Sequence, residues 1–463
     1  PTQQTGSGDN TKYIVSKLRP DSTHMDVLLC VATVPENIQL SQQVVDKVEK
    51  LREEKLSKEK QKTQSSKKTD VFDIDDGGWA EDEEEDEAVK KAKQEEAERQ
   101  KAKEELKQAT GTGVTPMEGI DEGVLGQHWV ETTLSAKKHW PPKDLSFIQD
   151  QVYPYKGKNV KPMDHPAVRR NLCMTMGRLH SVILNTHSDL LEAAGNGKID
   201  QTYFKGTMEY RQRAGALLES CLRIAVSLQS YRLAKTIIET VCMFKIGVQD
   251  PLNPNTIQWF NSMMLKQYGG PQGLPRLKIT DQNISNPDYP EMATGDKVAL
   301  TMEMDRTHAE LFTRVKIAMC QKQGIPPQVG LQTYREGWWI LIRAEKLDGG
   351  ATPTADFSNN TLLDLLDSKD TEKFDEEKDT DRLLSAFPII VQNINQKSGK
   401  VKIQFKAPSV AGKYKFTVGV KSQEFLGADQ EFDLTREVVD VTTVSREEKK
   451  ETEPSDEEPK KDK

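Results

Sequence analysis

The most constraining feature of the sequence is the stretch 401–434, VKIQFKAPSVAGKYKFTVGVKSQEFLGADQEFDL. Val401, Ile403 and Phe405 alternate with Lys402, Gln404 and Lys406. A period of two marks a strand with one face in a core and the other in water. Pro408 and Gly412 interrupt the pattern, as a connection between strands does. Alternation returns with Tyr414, Phe416, Val418 and Val420 against Lys413, Lys415, Thr417 and Lys421. The runs 432–434 and 438–439 supply a third strand. Strands of this kind cannot bury their apolar face alone, so a second sheet is required.

Upstream, Val298, Leu300, Met302 and Met304 alternate with Lys297, Ala299, Thr301 and Glu303. Trp338-Trp339-Ile340-Leu341-Ile342 is a short apolar run rich in aromatic and β-branched residues, as in a strand buried in a sandwich. The segment 387–391 is a further candidate. The set predicts an immunoglobulin- or fibronectin-like antiparallel β-sandwich over 276–442, with Trp338 or Trp339 as its core tryptophan.

The chain has 463 residues, room for two or three domains. Only 35% of residues are hydrophobic and 30% are charged, so a good part of the chain is expected to stay outside any core. The net charge of −8 argues against general nucleic-acid binding. Five cysteines without a CxxC pattern suit reduced thiols rather than a disulfide framework or a zinc ribbon. No signal peptide and no apolar run near membrane-spanning length occurs. The first residue is Pro1, as in a fragment of a longer protein.

The organisation is read as a multidomain α + β chain. Residues 1–50 form a short helical segment continuing from a preceding part, with Asp21 or Ser22 as its helix cap. Residues 51–124 are a charged insertion: a lysine-rich run, seven consecutive acids at 81–87, then a Lys/Glu/Ala/Gln tract. Residues 125–275 form a helical domain. Within it His165-Pro166-Ala167 opens one helix, and Leu217, Leu218, Leu222, Ile224 and Leu228, then Leu233, Ile237, Ile238 and Val241, mark two amphipathic helices in an antiparallel array. Asn253-Pro254 and Gly269-Gly270-Pro271 punctuate the passage to the sandwich. The sandwich carries an acidic insert at 348–382, with eleven acids against four bases and a leucine-rich turn at 361–367. The tail 443–463 is a charged, disordered segment in which Ser445 and Ser455 precede acids in the manner of acidophilic-kinase sites.

Catalytic chemistry has no foothold here. No phosphate-binding glycine loop, nucleophile elbow or HExxH helix occurs. The seven histidines are scattered, and no cofactor or metal ligand set is assigned.

Several segments together resemble the Sec-sixty-three family, an endoplasmic-reticulum membrane subunit that works with the Sec translocon. FKAPSVAGKYKFTVGVKSQEFLGADQ (405–430) is similar to that family's last strands, with Pro408, Gly412 and Tyr414 in the loop and Ser422, Phe425, Leu426, Gly427, Asp429 and Gln430 in the following turn. Trp338-Trp339 resembles its mid-sandwich aromatic pair, and KLRPDSTHMDVLL, HPAVRRNL and the helix pair near 215–249 follow in the same order. The resemblance implies a cytosolic helical region plus sandwich, shared with Brr-two helicases, without the J domain and transmembrane helices. It implies a non-enzymatic role at the cytosolic face of the endoplasmic reticulum membrane, in post-translational protein import. The implied partners are cytosolic loops of the Sec-sixty-one channel and Sec-sixty-two, with no nucleic acid. The lumenal seventy-kilodalton chaperone would be reached only through a J domain that this sequence lacks. The alternative reading is a Brr-two-type helicase cassette fragment serving as an RNA-processing interaction module. The expected docking residues are Glu424 and Asp429 for charge and Phe425 and Leu426 as an apolar anchor, together with the acidic insert.

Overall fold

The computed structural model describes residues 6–68, 148, 150–179, 201–270, 273–349, 362–366, 369 and 382–444. It contains a helical region followed by an antiparallel β-sandwich. The helices are α1 (Gly6–Lys17), α2 (His24–Thr33), α3 (Pro35–Lys68), α4 (Pro166–Leu179), α5 (Gln201–Ser227), α6 (Tyr231–Ile246) and α7 (Pro254–Tyr268). A short hairpin of β1 (Tyr153–Tyr155) and β2 (Lys158–Val160) precedes α4.

The helix starts follow from local chemistry. At α2 the cap is Thr23: its hydroxyl accepts from Asp26 N at 3.2 Å, and Asp26 Oδ2 accepts from Thr23 N at 2.9 Å. This reciprocal box replaces the expected Asp21 or Ser22 cap, because the Ser22 hydroxyl is spent one turn back, accepting from Arg19 N. Pro166 opens α4, as the sequence predicts. The stretch read as a punctuated passage holds α7, with Asn253 as its cap, Pro254 in the first turn and Gly269 at its end. The same Pro and Gly that suggest a loop are here the two boundaries of a helix.

Residues from 6–45, 165–179 and 201–268 share one core. Ile14, Val27, Leu28 and Val31 from the first helices pack with Met174, Leu218, Leu222, Ile237, Ile238 and Met243. The described parts of the segment 1–50 and of the region 125–275 therefore contribute to a single helical unit. From the acidic insert, Leu362 and Leu366 pack against this core, flanking a single 3-10 turn at Leu363–Leu365.

The sandwich has a three-stranded sheet in the order β3-β4-β7 and a four-stranded sheet in the order β6-β5-β8-β9. Its strands are β3 (Leu277–Ser285), β4 (Lys297–Arg306), β5 (Glu336–Lys346), β6 (Leu383–Val391), β7 (Ser398–Lys406), β8 (Gly412–Ser422) and β9 (Gln430–Val438). All neighbours are antiparallel. The alternation read from sequence is the burial pattern observed: Val298, Leu300, Met302 and Met304 of β4, with Ile403 and Phe405 of β7 beside them, share one core with Trp338, Ile340, Ile342, Tyr414, Phe416, Val418 and Val420 of the other sheet. Tyr414, at the start of β8, donates its hydroxyl to Val410 O at 2.7 Å and so closes the corner before the strand. Two helices not foreseen in the sequence, α8 (Ala309–Lys322) and α9 (Pro327–Gln332), lie between β4 and β5.

The other parity of β5 and β8 faces the helices. Trp339, Leu341 and Ala386 join the helical core rather than the sandwich core, and α6 contacts both β5 and β8. The molecule is thus layered as helices, four-stranded sheet and three-stranded sheet. Close approach depends on Gly419: a Cβ there would stand 2.7 Å from the Tyr231 hydroxyl. Tyr231 in turn donates to Glu431 Oε2 at 3.2 Å and lies under the Arg343 guanidinium, 4.7 Å from the ring centroid. Gly419→Val should push Tyr231 off the sheet at a cost of about 1–3 kcal/mol. Urea unfolding would show this as a lowered midpoint; an unchanged midpoint would mean that α6 does not rest on β8 in this way.

Candidate functional site at the 422–430 turn

The turn between β8 and β9 carries the expected docking residues. Its shape comes from side chains that satisfy its own backbone. Ser422 Oγ accepts from Glu424 N at 3.1 Å and Phe425 N at 2.9 Å. Asp429 Oδ1 accepts from Ser422 N at 2.8 Å, closing the loop from the other side. Gly427 adopts φ +68°, and a Cβ there would meet Ile257 Cγ2 at 2.6 Å, so the turn is pressed against α7.

The structure turns this segment inward. Leu426 is 3% exposed and belongs to the helical core. Phe425 packs against His308, Phe312 and Trp338, with centroid separations of 5.8, 6.0 and 6.2 Å. Neither side chain is offered to a partner as the apolar anchor expected of it. Asp429 Oδ2 accepts from Lys421 Nζ at 3.1 Å, and Glu424 pairs with Lys245 at 2.8 Å. The four residues are a joint between the helical unit and the sandwich.

Lys421 is the centre of that joint. The parity of β8 places it opposite Trp339, facing the helices, with only 9% of its side chain exposed. Glu239 of α6 lies 3.3 Å from its ammonium and also pairs with His24 Nε2 at 3.0 Å. Burial alone would lower the lysine's pKa, yet the Asp429 and Glu239 carboxylates hold it above its ordinary value. Burial would likewise raise Glu239, but the His24 hydrogen bond and the Lys421 charge bring it below the usual carboxylate range.

A second buried cluster locks the neighbouring end of the sandwich. Glu336 is fully buried and accepts from Arg306 Nη2 at 2.5 Å, His308 Nε2 at 3.2 Å and Trp338 Nε1 at 2.7 Å, and also from the Tyr334 hydroxyl. Arg306 completes its donors on Ile394 O and Gln396 O at 3.1 and 2.6 Å. Burial would raise the Glu336 pKa, but His308 and Arg306 draw it down to about 2. Sequence reasoning missed this set, though a signal exists. Arg306 continues the inward parity of Val298 to Met304, and Glu336 precedes Trp338 on the inward parity of β5. A charge at an inward position at a strand end announces a buried pair.

These groups hold the fold together, and their chemistry is that of ion pairs. Among the described residues, no group of three or more His, Cys, Asp or Glu could hold a metal ion, and no helix is long and apolar enough to cross a membrane. Trp338 fills the sandwich core and Trp339 the helical face, while Gly412 (φ +152°) lies beside Lys346 and Asp348. Pro408 lies in the 407–411 connection, where its carbonyl accepts from Gly295 N at 3.3 Å. Ser445, Ser455 and most of the 348–382 insert lie outside the described residues.

Comparison with known proteins yields little. No protein-family profile and no curated protein matches the chain. Among solved structures, the Pseudomonas fluorescens alkylpurine DNA glycosylase AlkC bound to DNA containing an abasic site analog aligns with 67% of this chain and 76% of its own, at 10% identity and a TM-score of 0.17. A likeness at that level carries no argument.

Three outcomes test the joint and the neighbouring Glu336 cluster. Asp429→Lys sets a second cation against Lys421 and should cost about 3–5 kcal/mol, whereas Glu424→Lys breaks a part-exposed pair worth about 0–1 kcal/mol. Equal effects in denaturant titration would contradict the inward placement. Glu336→Gln leaves Arg306 buried without its carboxylate and should cost about 3–5 kcal/mol. Glu336 binds its proton less tightly folded than unfolded, so its contribution is present above the ordinary value of 4.5 and is lost as pH falls toward about 2. The wild-type stability should fall over that window, and the Glu336→Gln variant should lack that component of the fall.

Proposed function

We propose that this chain is a non-enzymatic docking unit of an endoplasmic-reticulum translocation subunit of the Sec-sixty-three type, working on the cytosolic face and binding cytosolic loops of the Sec-sixty-one channel, with Sec-sixty-two as a further partner. The observation that carries the reading is the joint itself. The residues that make the sequence resemblance, Ser422, Phe425, Leu426, Gly427 and Asp429, are those that seat the sandwich on the helices. A motif that couples two structural units is one that a family built from those units has physical reason to carry.

The sandwich is of the fibronectin-like kind on this reading. Support comes from the sheet orders β3-β4-β7 and β6-β5-β8-β9, the core Trp338 on β5 and the Tyr414 corner at the start of β8. With the 422–430 turn turned inward, docking falls to the opposite end. There the connections 286–296 and 407–411 lie beside the start of the acidic insert, where Asp348 Oδ2 accepts from Lys413 N at 3.1 Å. Loops on a rigid sandwich end suit recognition, and the insert's excess of acids suits a basic partner.

The test is capture of the channel from detergent-solubilised endoplasmic-reticulum membranes on the immobilised chain. Capture should weaken with rising salt and on neutralising the acids of 348–382, and should persist in Glu424→Lys. No capture at low salt, or capture indifferent to the insert, would sink the reading.

A further inference from the structure

We infer that α8 and α9 form a finger that rests on the surface of a bilayer containing anionic lipids. The finger is anchored at its base, where Leu331 of α9 also packs against the helical core. Ala309, Leu311 and Phe312 are buried there, and Phe312 stacks on Tyr268 of α7 with centroids 4.0 Å apart. From 313 to 333 only Cys320 and Gly330 are buried. They are buried against each other: a Cβ on Gly330 would lie 2.1 Å from Cys320 Sγ. The two helices therefore press together at that point and have too little volume to cover their remaining apolar side chains.

Those side chains gather at the tip. Gly324 turns the chain with φ +66°, and Ile325 N donates back to Cys320 O at 2.9 Å. Ile325 also approaches Gly330, since its Cγ2 lies 3.9 Å from the position of a Cβ there. Met319 and Ile325 are each 39% exposed and Val329 is 55% exposed. Three large apolar side chains in eleven successive positions thus face water around one turn. Scattered surface apolar residues need no explanation, but a grouped set on a projecting element does.

The charge around them selects the partner. Arg314, Lys316 and Lys322 lie on α8. The finger's one acid, Glu310, is paired with Lys397 at 3.1 Å. The finger thus carries three cations against one acid on a chain whose net charge is −8. Apolar side chains at a tip flanked by cations are the pattern of a peripheral element seated at the headgroup boundary, with lysines drawn to acidic lipids. A protein groove of matching shape would need only the apolar part. The inference stands on the finger's residues and does not depend on channel docking.

The experiment is flotation of the full 463-residue chain with phosphatidylcholine vesicles, with and without phosphatidylserine. The wild type should float with the phosphatidylserine vesicles at low salt and float less, but still measurably, as salt rises. Each lysine near an anionic surface contributes about 1 kcal/mol, roughly fivefold in partition. Lys316→Glu with Lys322→Glu should therefore reduce binding by more than about tenfold. Ile325→Ser with Val329→Ser should remove the part that survives added salt. The substituted side chains are not core groups, so thermal unfolding of both double variants should match the wild type and keep the comparison clean. Failure of the wild type to float would overturn the inference, as would flotation independent of phosphatidylserine or unchanged in both variants. A wild type that floats but captures no channel would leave the finger's role intact and refute only the translocation reading.

Discussion

A lysine ammonium cannot be removed from water unless carboxylates are already in place to receive it, and much of this structure is arranged around that requirement at Lys421. Its position in β8 points it at the helices, where only 9% of its side chain is exposed. Glu239 must then come from α6 and Asp429 from the following turn, within 3.3 and 3.1 Å. Meeting both conditions fixes the register of α6 along the sheet and the path of the chain after Ser422. Tyr231, two turns before Glu239 on α6, can lie flat on the sheet only because Gly419 has no side chain. Removing either carboxylate would leave a charge in low dielectric, so the pairing enforces geometry more than it adds stability.

The same logic recurs at the end of the sandwich near this turn. Glu336 gathers Arg306, His308, Tyr334 and Trp338, four donors from the strand ends and the root of the finger. Phe425 touches His308, Phe312 and Trp338, so the two clusters are bridged by one aromatic ring. One end of the sandwich is consequently committed to holding the molecule together. The opposite loops, the polar face of the three-stranded sheet and the finger tip are left for other molecules. Function is expected at those surfaces because they can vary without disturbing a buried charge.

The strands were legible because alternation is a strong signal when one face meets a core. Tyr414, Phe416, Val418 and Val420 face the sandwich interior as their spacing implies. Lys421 shows the limit of that reading. It belongs to the parity that looks solvent-facing, but the second face of β8 is covered by α6, and nothing local to the strand encodes that cover. The 422–430 turn misled for a related reason. Serine, glycine and aspartate suggest an exposed loop, whereas Ser422 and Asp429 serve the turn's own backbone and free Phe425 and Leu426 to point inward. Pro254 and Gly269 suggest punctuation and instead delimit α7. The buried Arg306–Glu336 pair was hidden by separation in the chain, although both residues sit on inward parities.

If Lys421, Tyr231 and the turn fuse the helical unit and the sandwich, the two must unfold together. The direct measurement follows urea unfolding by helical circular dichroism and, separately, by hydrogen exchange of the β5 and β8 amides. The account requires coincident transitions with one midpoint, and the same shift of both midpoints when Glu239 is replaced by Gln. Two separated transitions, with the sandwich amides protected after the helices have melted, would contradict it.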